Sequence, residues 1–487
     1  MRNYYKTAFF CYKIIEAAGR QKAGSMNIKD KKFHFIAAGG AGMSALERIL
    51  SGMGAEVSGS DIQESKYTHL LEDSGVHVHI GHSAGLIKEN MIIAASTAVK
   101  DDNPEIMRAK ELGLKIYHRS DILKMISDEF SNNNNSLFIG FSGAHGKTTT
   151  SGLYAYLLEK GGFNPSYAIG GVIPDINTNG KYAGGKYFTA ELDESDGTIQ
   201  KYSTDIAVIN NIEEDHLDYY QNGFPDIAET FNKYLSNKPS QKVIINNDNK
   251  GCREFMKLYP AYNYITFGLK EAVYTAENVK IEGLASSFGV YKHGKKLSDI
   301  HLSIPGLHNV YNALAVSAAL TEAGIDIQQL KEYFASFSGM GRRFQKIGTV
   351  NGITVYDDYA HHPQEIKASL KTLKDGINGR GKVIAVFQPH RYTRLKNLWN
   401  DFKKAFDDTD MLFVLDVYSA GEMPENGITA ESFVKDLNRE NVFYIKGNMK
   451  EAALKIAPYL QPGSFVMTLG AGDVTNLGGY LIESLND

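Results

Sequence analysis

Short apolar runs alternate with longer stretches that are apolar on one side only, and the alternation recurs along most of the chain. Phe33-His34-Phe35-Ile36-Ala37-Ala38 has the make-up of a buried strand. The turn Gly39-Gly40-Ala41-Gly42 leads into a helical period over 43–53, and a second strand over 55–60 ends at Asp61. Further short strands are predicted at 76–80, 91–95 and 114–117. Strand–helix alternation of this kind predicts a parallel sheet with crossover helices.

Ser131-Asn132-Asn133-Asn134-Asn135-Ser136 is polar and breaker-rich and reads as a linker. A second alternating block opens at Leu137-Phe138-Ile139-Gly140-Phe141, with strands at 187–191, 206–212 and 242–246. It closes with a helix over 309–323, apolar on one face, and a hinge over 334–341. A third block has strands at 353–357, 383–388, 411–416, 442–445 and 465–469. No short-period repeat is present. The expected architecture is therefore α/β, with three domains in series over 33–130, 137–338 and 339–487. They follow an N-terminal extension over 1–32 that is expected to be disordered.

Composition narrows the class. A chain of 487 residues suits about three domains. It is 43% hydrophobic and 22% charged, ordinary for a globular protein. A net charge of -4 provides no basic footprint for nucleic acid or an anionic membrane. The 2 cysteines, Cys11 and Cys252, exclude a disulfide framework and a zinc site. No apolar run is long enough to span a bilayer. Near the N-terminus, Lys13 interrupts the apolar stretch from Thr7 to Tyr12, so a signal peptide is disfavoured and Met26 is the working start. The expected location is cytoplasmic.

Candidate chemistry sits at the strand ends. After Phe141 the chain reads Ser142-Gly143-Ala144-His145-Gly146-Lys147-Thr148-Thr149-Thr150 and enters a helix. Glycines allow backbone N–H groups to turn toward phosphate oxygens, and a helix N-terminus favours negative charge. Lys147 can neutralise β- and γ-phosphates and the Thr148 hydroxyl can reach Mg²⁺. The generic loop carries a further glycine where Phe141 stands, so this one is shortened. The alternative is a glycine-rich turn with a chance Lys-Thr.

The first glycine cluster, Ala37 to Ser44, resembles a dinucleotide fingerprint, with Asp61 where a ribose-binding acid sits. Alone it is compatible with an NAD(P) enzyme or with any diphosphate ligand, a UDP-sugar included. Glu191-Leu192-Asp193-Glu194-Ser195-Asp196 ends a strand of the second block and can supply a Mg²⁺ ligand. Asn211-Ile212-Glu213-Glu214-Asp215-His216-Leu217-Asp218 follows another, pointing into the crevice where open α/β sheets bind ligands. Either acidic cluster alone could be a solvated loop. In Asp357-Asp358-Tyr359-Ala360-His361-His362-Pro363 the adjacent histidines point opposite ways if extended, which disfavours a two-histidine metal site. Gln388-Pro389-His390-Arg391-Tyr392-Thr393-Arg394 concentrates positive charge at a strand end, fit to clamp a carboxylate or to form a salt-bridged turn.

In this order, with Gly306, His308, Asn309, Asn312, Gly339, Arg342, Arg343 and Phe344 between them, these motifs resemble the Mur ligase family from about Phe33 to the C-terminus. Two departures stand out: Ala144 replaces the loop threonine and Ala37 stands where glycine is usual. The resemblance implies a Rossmann-like UDP-binding domain, a central P-loop ATPase domain and a Rossmann-like C-terminal amino-acid domain. It implies ATP-dependent ligation of L-alanine to the lactyl carboxylate of UDP-N-acetylmuramate, through an acyl phosphate, with Mg²⁺ or Mn²⁺. A sister activity attaches a recycled tripeptide instead; Ser195-Asp196 favours alanine. The implied metal ligands are Thr148, Glu191 and His216, and the implied catalytic set is Lys147, Glu191, His216, Arg343 and His361. ATP would meet Gly143, Ala144, His145, Gly146, Lys147, Thr148, Thr149, Asn246, His308, Asn309, Asn312, Arg343 and Asp358. The UDP-sugar would meet Gly39, Gly40, Gly42, Met43, Ser44, Asp61, Ser96 and Arg119. The amino acid would meet Tyr359, His361, His390, Arg391 and Arg394. A monomer or weak homodimer is expected.

Overall fold

A computed structural model describes residues 27–132, 135–217 and 219–486. The expectations about the N-terminal extension up to Met26, about Asn133 and Asn134 in the linker, and about Asp218 lie outside the described residues.

The apolar runs become strands of three sheets. In the first, β1 (Lys32–Ile36) leads into α1 (Ala41–Gly52), β2 (Glu56–Asp61), α2 (Lys66–Glu72), β3 (His77–Ile80), β4 (Met91–Ala95), α3 (Pro104–Glu111) and β5 (Ile116–Tyr117). All five strands are parallel, in the order β3-β2-β1-β4-β5. The order reverses between β1 and β4, so the ligand crevice falls above their C-terminal ends. α4 (Arg119–Ser131) then crosses to the second sheet.

That sheet has ten strands. β6 (Leu137–Ser142) runs into α5 (Lys147–Lys160), and β7 (Ser166–Ile173), β8 (Thr178–Lys181), β9 (Tyr187–Glu191) and β10 (Ile206–Ile209) follow. Next come α6 (Phe224–Ser236), β11 (Lys242–Asn246), α7 (Lys250–Leu258), β12 (Asn263–Gly268), β13 (Tyr274–Glu282), β14 (Ala285–Lys292) and β15 (Lys295–Leu302). α8 (Leu307–Glu322) and α9 (Lys331–Ser336) complete the block. The order β15-β14-β13-β12-β11-β10-β6-β9-β7-β8 sets β6 between β9 and β10. The phosphate loop after β6 is thereby flanked by the ends of the strands that lead into both acidic clusters.

The third sheet contains β16 (Gln345–Val350), β17 (Ile353–Asp358), α10 (Pro363–Ile377), β18 (Lys382–Phe387), α11 (Tyr392–Asn397), α12 (Trp399–Lys403), β19 (Met411–Leu415), α13 (Ala430–Leu437), β20 (Val442–Ile445), α14 (Met449–Ile456), β21 (Ser464–Leu469) and α15 (Leu477–Asn486). Its order is β16-β17-β21-β18-β19-β20, parallel except for β16. Among the described residues no helix is long and apolar enough to cross a membrane.

The purely parallel expectation fails at the edges. β13, β14 and β15 form an antiparallel meander, and β8 returns antiparallel on β7. The meander was visible as alternation: in β15, Ser298, Ile300 and Leu302 point inward while exposed polar residues intervene. His293 and Gly294 at the β14–β15 turn take φ of 48° and 73°, the paired left-handed geometry of a tight hairpin. The strand expected over 206–212 stops at Ile209, because Asn210 and Asn211 leave the sheet to hold the phosphate loop. The one-sided helix expected over 309–323 is buried on nearly all sides, as α8 packs between α5 and the sheet. The expected hinge over 334–341 has its apolar side chains pinned: Phe334, Phe337 and Met340 are fully buried. Gly341 N–H donates to Val172 O at 2.9 Å.

The first two sheets meet where α1 lies across β7 and β8. Asn179 Nδ2 donates to Ala41 O at 2.7 Å and to Ser44 Oγ at 2.9 Å. At Gly180 an added Cβ would lie 2.5 Å from Ala45 O and 2.6 Å from Ala45 Cα. Gly180→Ala must therefore part the two units, and a loss of about 1–3 kcal/mol is expected. Gly479→Ala, in α15 with open space around it, should gain about 0.5–1 kcal/mol. Equilibrium denaturation of both variants checks this; an unchanged midpoint for Gly180→Ala contradicts the packing account.

Candidate active site

The phosphate loop takes its shape from glycine and from three asparagines. Gly143 and Gly146 adopt φ of 124° and 83°, a region that side chains avoid. Space imposes the same choice: a Cβ on Gly146 would meet Asn312 Oδ1 at 2.6 Å, and one on Gly143 would meet Asn211 O at 2.7 Å. His145 N–H donates to Asn211 Oδ1 at 2.9 Å, and Asn210 Nδ2 donates to Thr150 Oγ1 at 3.1 Å. Lys147 Nζ donates to Gly143 O and to Glu194 Oε1, both at 2.8 Å. Burial alone would lower the Lys147 pKa; the Glu194 carboxylate overcomes it and holds the ammonium raised. Ala144 contributes its carbonyl to Lys147 at 3.4 Å, a contact that needs no side-chain hydroxyl.

Glu191, at the end of β9, accepts from Gly170 N–H at 2.9 Å and from Thr148 Oγ1 at 3.1 Å. Burial raises its pKa, with the nearby Lys147 charge opposing. The Thr148 hydroxyl and the Glu191 carboxylate are hard oxygen donors of the kind Mg²⁺ takes. His216 lines a separate small cavity with Glu194 and Asn211, and lies 3.7 Å from Asp215. Among the described residues no three His, Cys, Asp or Glu side chains gather as a metal cluster.

A cleft of about 1190 Å³ opens over the loop. Lys147, Thr148, Thr149 and Glu191 line one wall, His308, Asn309 and Asn312 of α8 another, and Arg343, Asp358 and Glu365 of the third unit the far side. Asn246 and Phe267 line a neighbouring recess with His145, Gly146, His308 and Asn312. Asn309 Nδ2 donates to Pro305 O at 2.8 Å, and its Oδ1 accepts from Asn312 at 3.0 Å.

A second cavity meets the cleft at Glu191. Its lining includes Gly42, Arg119, Gly170, Glu191 and Asp193. Arg119 Nη2 and Asp193 Oδ2 are 2.6 Å apart, which ties α4 to the acidic segment. The remaining residues expected at the UDP-sugar divide into two groups. Gly39 N–H donates to Asp61 Oδ2 at 2.8 Å, Gly40 caps α1, and Ser96 follows β4 beside the same turn. Met43 and Ser44 instead point into the packed interior, 3% and 0% exposed. Ala37 takes φ of 64°, which explains why glycine suits this position and why alanine here carries strain.

The expected amino-acid residues form one aromatic and basic cluster. The Arg342 and Arg343 guanidinium carbons lie 4.8 Å and 5.3 Å from the Tyr359 ring centroid. The Tyr359 and His361 rings are 5.1 Å apart, and those of His361 and His390 5.9 Å. His361 Nδ1 lies 2.9 Å from Tyr359 O. Burial lowers the His361 pKa. His390 falls to about 4 through burial and the charge of Arg394, whose Nη1 lies 3.0 Å from His390 Nδ1. Arg391 is exposed beside them. Sequence reasoning gave no role to Glu194, Asn210 or Glu365. An asparagine pair directly after a strand was the available signal for Asn210; Glu194 and Glu365 lay within acidic or helical stretches with nothing to single them out.

Asp358 yields a pH test. Burial raises its pKa to about 6, against the pull of Arg343 and two N–H donors, Ala360 and Phe344. A carboxyl with a folded pKa above its ordinary 3.8 binds its proton more tightly when folded. Stability then falls as pH rises between the two values and levels above the higher one. The unfolding free energy of the native chain minus that of Asp358→Asn should decline from pH ~4 to ~6 and level off beyond. A difference that grows with pH contradicts this.

Known proteins share this sequence pattern and fold. Residues 32–131 match the model of the Mur ligase family catalytic domain, 141–320 the Mur ligase middle domain, and 342–472 the Mur ligase glutamate ligase domain. The UDP-N-acetylmuramate–L-alanine ligase of Geotalea daltonii is 39% identical over 94% of this chain and 99% of its own. That of Geobacter sulfurreducens is 37% identical over 94% and 98%. The crystal structure of UDP-N-acetylmuramate–alanine ligase from Thermotoga maritima is 28% identical, with a TM-score of 0.78 over 94% of this chain and 99% of that one. A murein peptide ligase from Psychrobacter arcticus shares the fold, with a TM-score of 0.67 at 21% identity over 94% and 99%. With a phosphate loop wedged between two acidic strand ends and the third unit facing it across the cleft, the chain belongs to the Mur ligase family.

Proposed function

We propose that this chain joins L-alanine to the lactyl carboxylate of UDP-N-acetylmuramate at the expense of ATP. The observation that carries the reading is the position of Glu191, which lines both the cleft over the phosphate loop and the cavity of Gly42 and Arg119. A sugar nucleotide seated on the Gly39–Gly42 turn can extend its carboxylate to the same point that a triphosphate on the loop reaches with its γ-phosphate. The relatives aligned over 94% of the chain carry that activity in their names.

The obstacle is charge, since a carboxylate must approach a polyanion. Lys147 and the loop N–H groups offset the triphosphate charge in a site partly shielded from water. Thr148 and Glu191 would hold a divalent cation, which supplies further neutralisation of the phosphates. A carboxylate oxygen attacks the γ-phosphorus and ADP leaves, giving an acyl phosphate. The amine then attacks the acyl carbon and phosphate leaves with the original carboxylate oxygen. Burial keeps His361 neutral, and with Nδ1–H donated to Tyr359 O its Nε2 lone pair is free to take the ammonium proton. Arg394 and Arg391 answer the carboxylate of the amino acid. Arg343, Asp358 and Glu365 close the far side and limit hydrolysis of the intermediate. The chain acts as a cytoplasmic enzyme with ATP as co-substrate.

Phosphate release with UDP-N-acetylmuramate and ATP should depend on L-alanine. Lys147→Ala should reduce it by about a thousandfold. Arg394→Ala should raise the KM for alanine about tenfold or more while the KM for ATP stays near native. ADP formation at an undiminished rate without sugar nucleotide and amino acid would refute the ligase reading. Full activity in Lys147→Ala would refute the loop assignment.

A further inference from the structure

Arg391 and Arg394 stand together just beyond β18, and neither has an ion-pair partner among the described residues. Arg391 also holds its backbone at φ of 70°, a region in which a Cβ is strained and which persists only where neighbours impose it. The imposing neighbour is the segment that follows β19. Tyr418 N–H donates to Pro389 O at 2.8 Å, and Arg391 N–H donates to Tyr418 O at 2.9 Å. These bonds make an isolated parallel bridge between His390 and Tyr418.

The Tyr418 ring lies flat on His390, with centroids 5.5 Å apart and planes 11° off parallel. It also packs on Gly472, where an added Cβ would sit 2.7 Å from the tyrosine Cγ. Gly472 O in turn accepts from Arg342 at 3.1 Å. Beyond Tyr418, the Glu422 carboxylate accepts from Thr393 N–H at 3.1 Å and from its hydroxyl at 2.6 Å. Bonds therefore hold the strained residue from both sides, at Pro389 and at Thr393.

We propose that Tyr418 and Glu422 are positioning residues for the amino-acid substrate, clamping the His390–Arg394 segment so that Arg391 and Arg394 meet its carboxylate. The proposal rests on the reading of that cluster as the amino-acid site. A guanidinium clamp depends on direction, and a displacement of about 1 Å is enough to lose much of its effect. Tyr418 acts through His390 and Arg391, not by touching the reacting atoms.

The test uses the full-length chain, with ATP and UDP-N-acetylmuramate held saturating while L-alanine is varied, and each of the other two varied in turn. Tyr418→Ala should raise the KM for alanine about tenfold or more, leaving the other two KM values within about twofold. Tyr418→Phe should restore the native value, and Glu422→Ala should shift alanine in the same direction. Since Tyr418 acts through Arg391 and Arg394 together, adding Tyr418→Ala to the double variant Arg391→Ala/Arg394→Ala should raise the alanine KM no further. A native alanine KM in Tyr418→Ala overturns the clamp, as does a parallel rise of all three KM values. If a thermal melt shows that Tyr418→Ala does not fold, Tyr418→Leu and Glu422→Ala decide by the same criteria. A native alanine KM in Arg391→Ala overturns the reading of the site itself; a rise there with Tyr418→Ala unaffected overturns the clamp alone.

Discussion

One carboxylate has to serve two cavities. Glu191 stands at the end of β9, fixed by Gly170 N–H and the Thr148 hydroxyl, where the cleft over the phosphate loop meets the cavity of Gly42 and Arg119. Its position follows from strand order, because β9 pairs with β6 and the loop begins where β6 ends. The neighbour on the other side, β10, leads directly into Asn210 and Asn211. Packing of this kind is rigid, since an added Cβ at Gly143 or Gly146 would lie under 3 Å from an asparagine atom. Everything proposed about the chemistry depends on that fixed point.

Electrostatics accounts for the distribution of work among three sheets. On the proposed reading a carboxylate and a triphosphate, both anions, must be brought together, which calls for neutralising groups in a site shielded from water. The first sheet ends in a glycine turn beside Asp61 and reaches the second through Arg119 and Asp193. The third turns back through left-handed backbone at Gly339, Arg342 and Phe344, and so brings Arg343 and Asp358 over the cleft. Arg342 fastens this return by donating to backbone carbonyls of the 470–472 turn. In the segment over 334–341, expected as a hinge, Phe334, Phe337 and Met340 are buried and Gly341 N–H donates to Val172 O.

How much the sequence revealed depended on how local the signal was. The phosphate loop was legible because strand, glycines, lysine and helix are consecutive. Motif order carried the family, because several strand ends each kept a short recognisable string. Geometry across the chain was not legible. No local pattern says that Glu194, rather than Asp193, meets Lys147, or that Met43 and Ser44 turn inward while Gly42 faces a cavity. The β13–β15 meander has only a weak local signature, a period of two and a His293-Gly294 turn, set within a chain where helix–strand alternation is the stronger pattern. Ala37 was noted as a departure from glycine, and the reason, a left-handed φ, required the backbone itself.

The central claim is that the sugar carboxylate attacks phosphorus at the point marked by Glu191. It is tested most directly with UDP-N-acetylmuramate bearing heavy oxygen in its lactyl carboxylate, by mass analysis of the phosphate released during turnover with L-alanine. The account predicts that one labelled oxygen moves to phosphate for each amide bond formed. Phosphate free of label, released alongside the normal amide product, would contradict it.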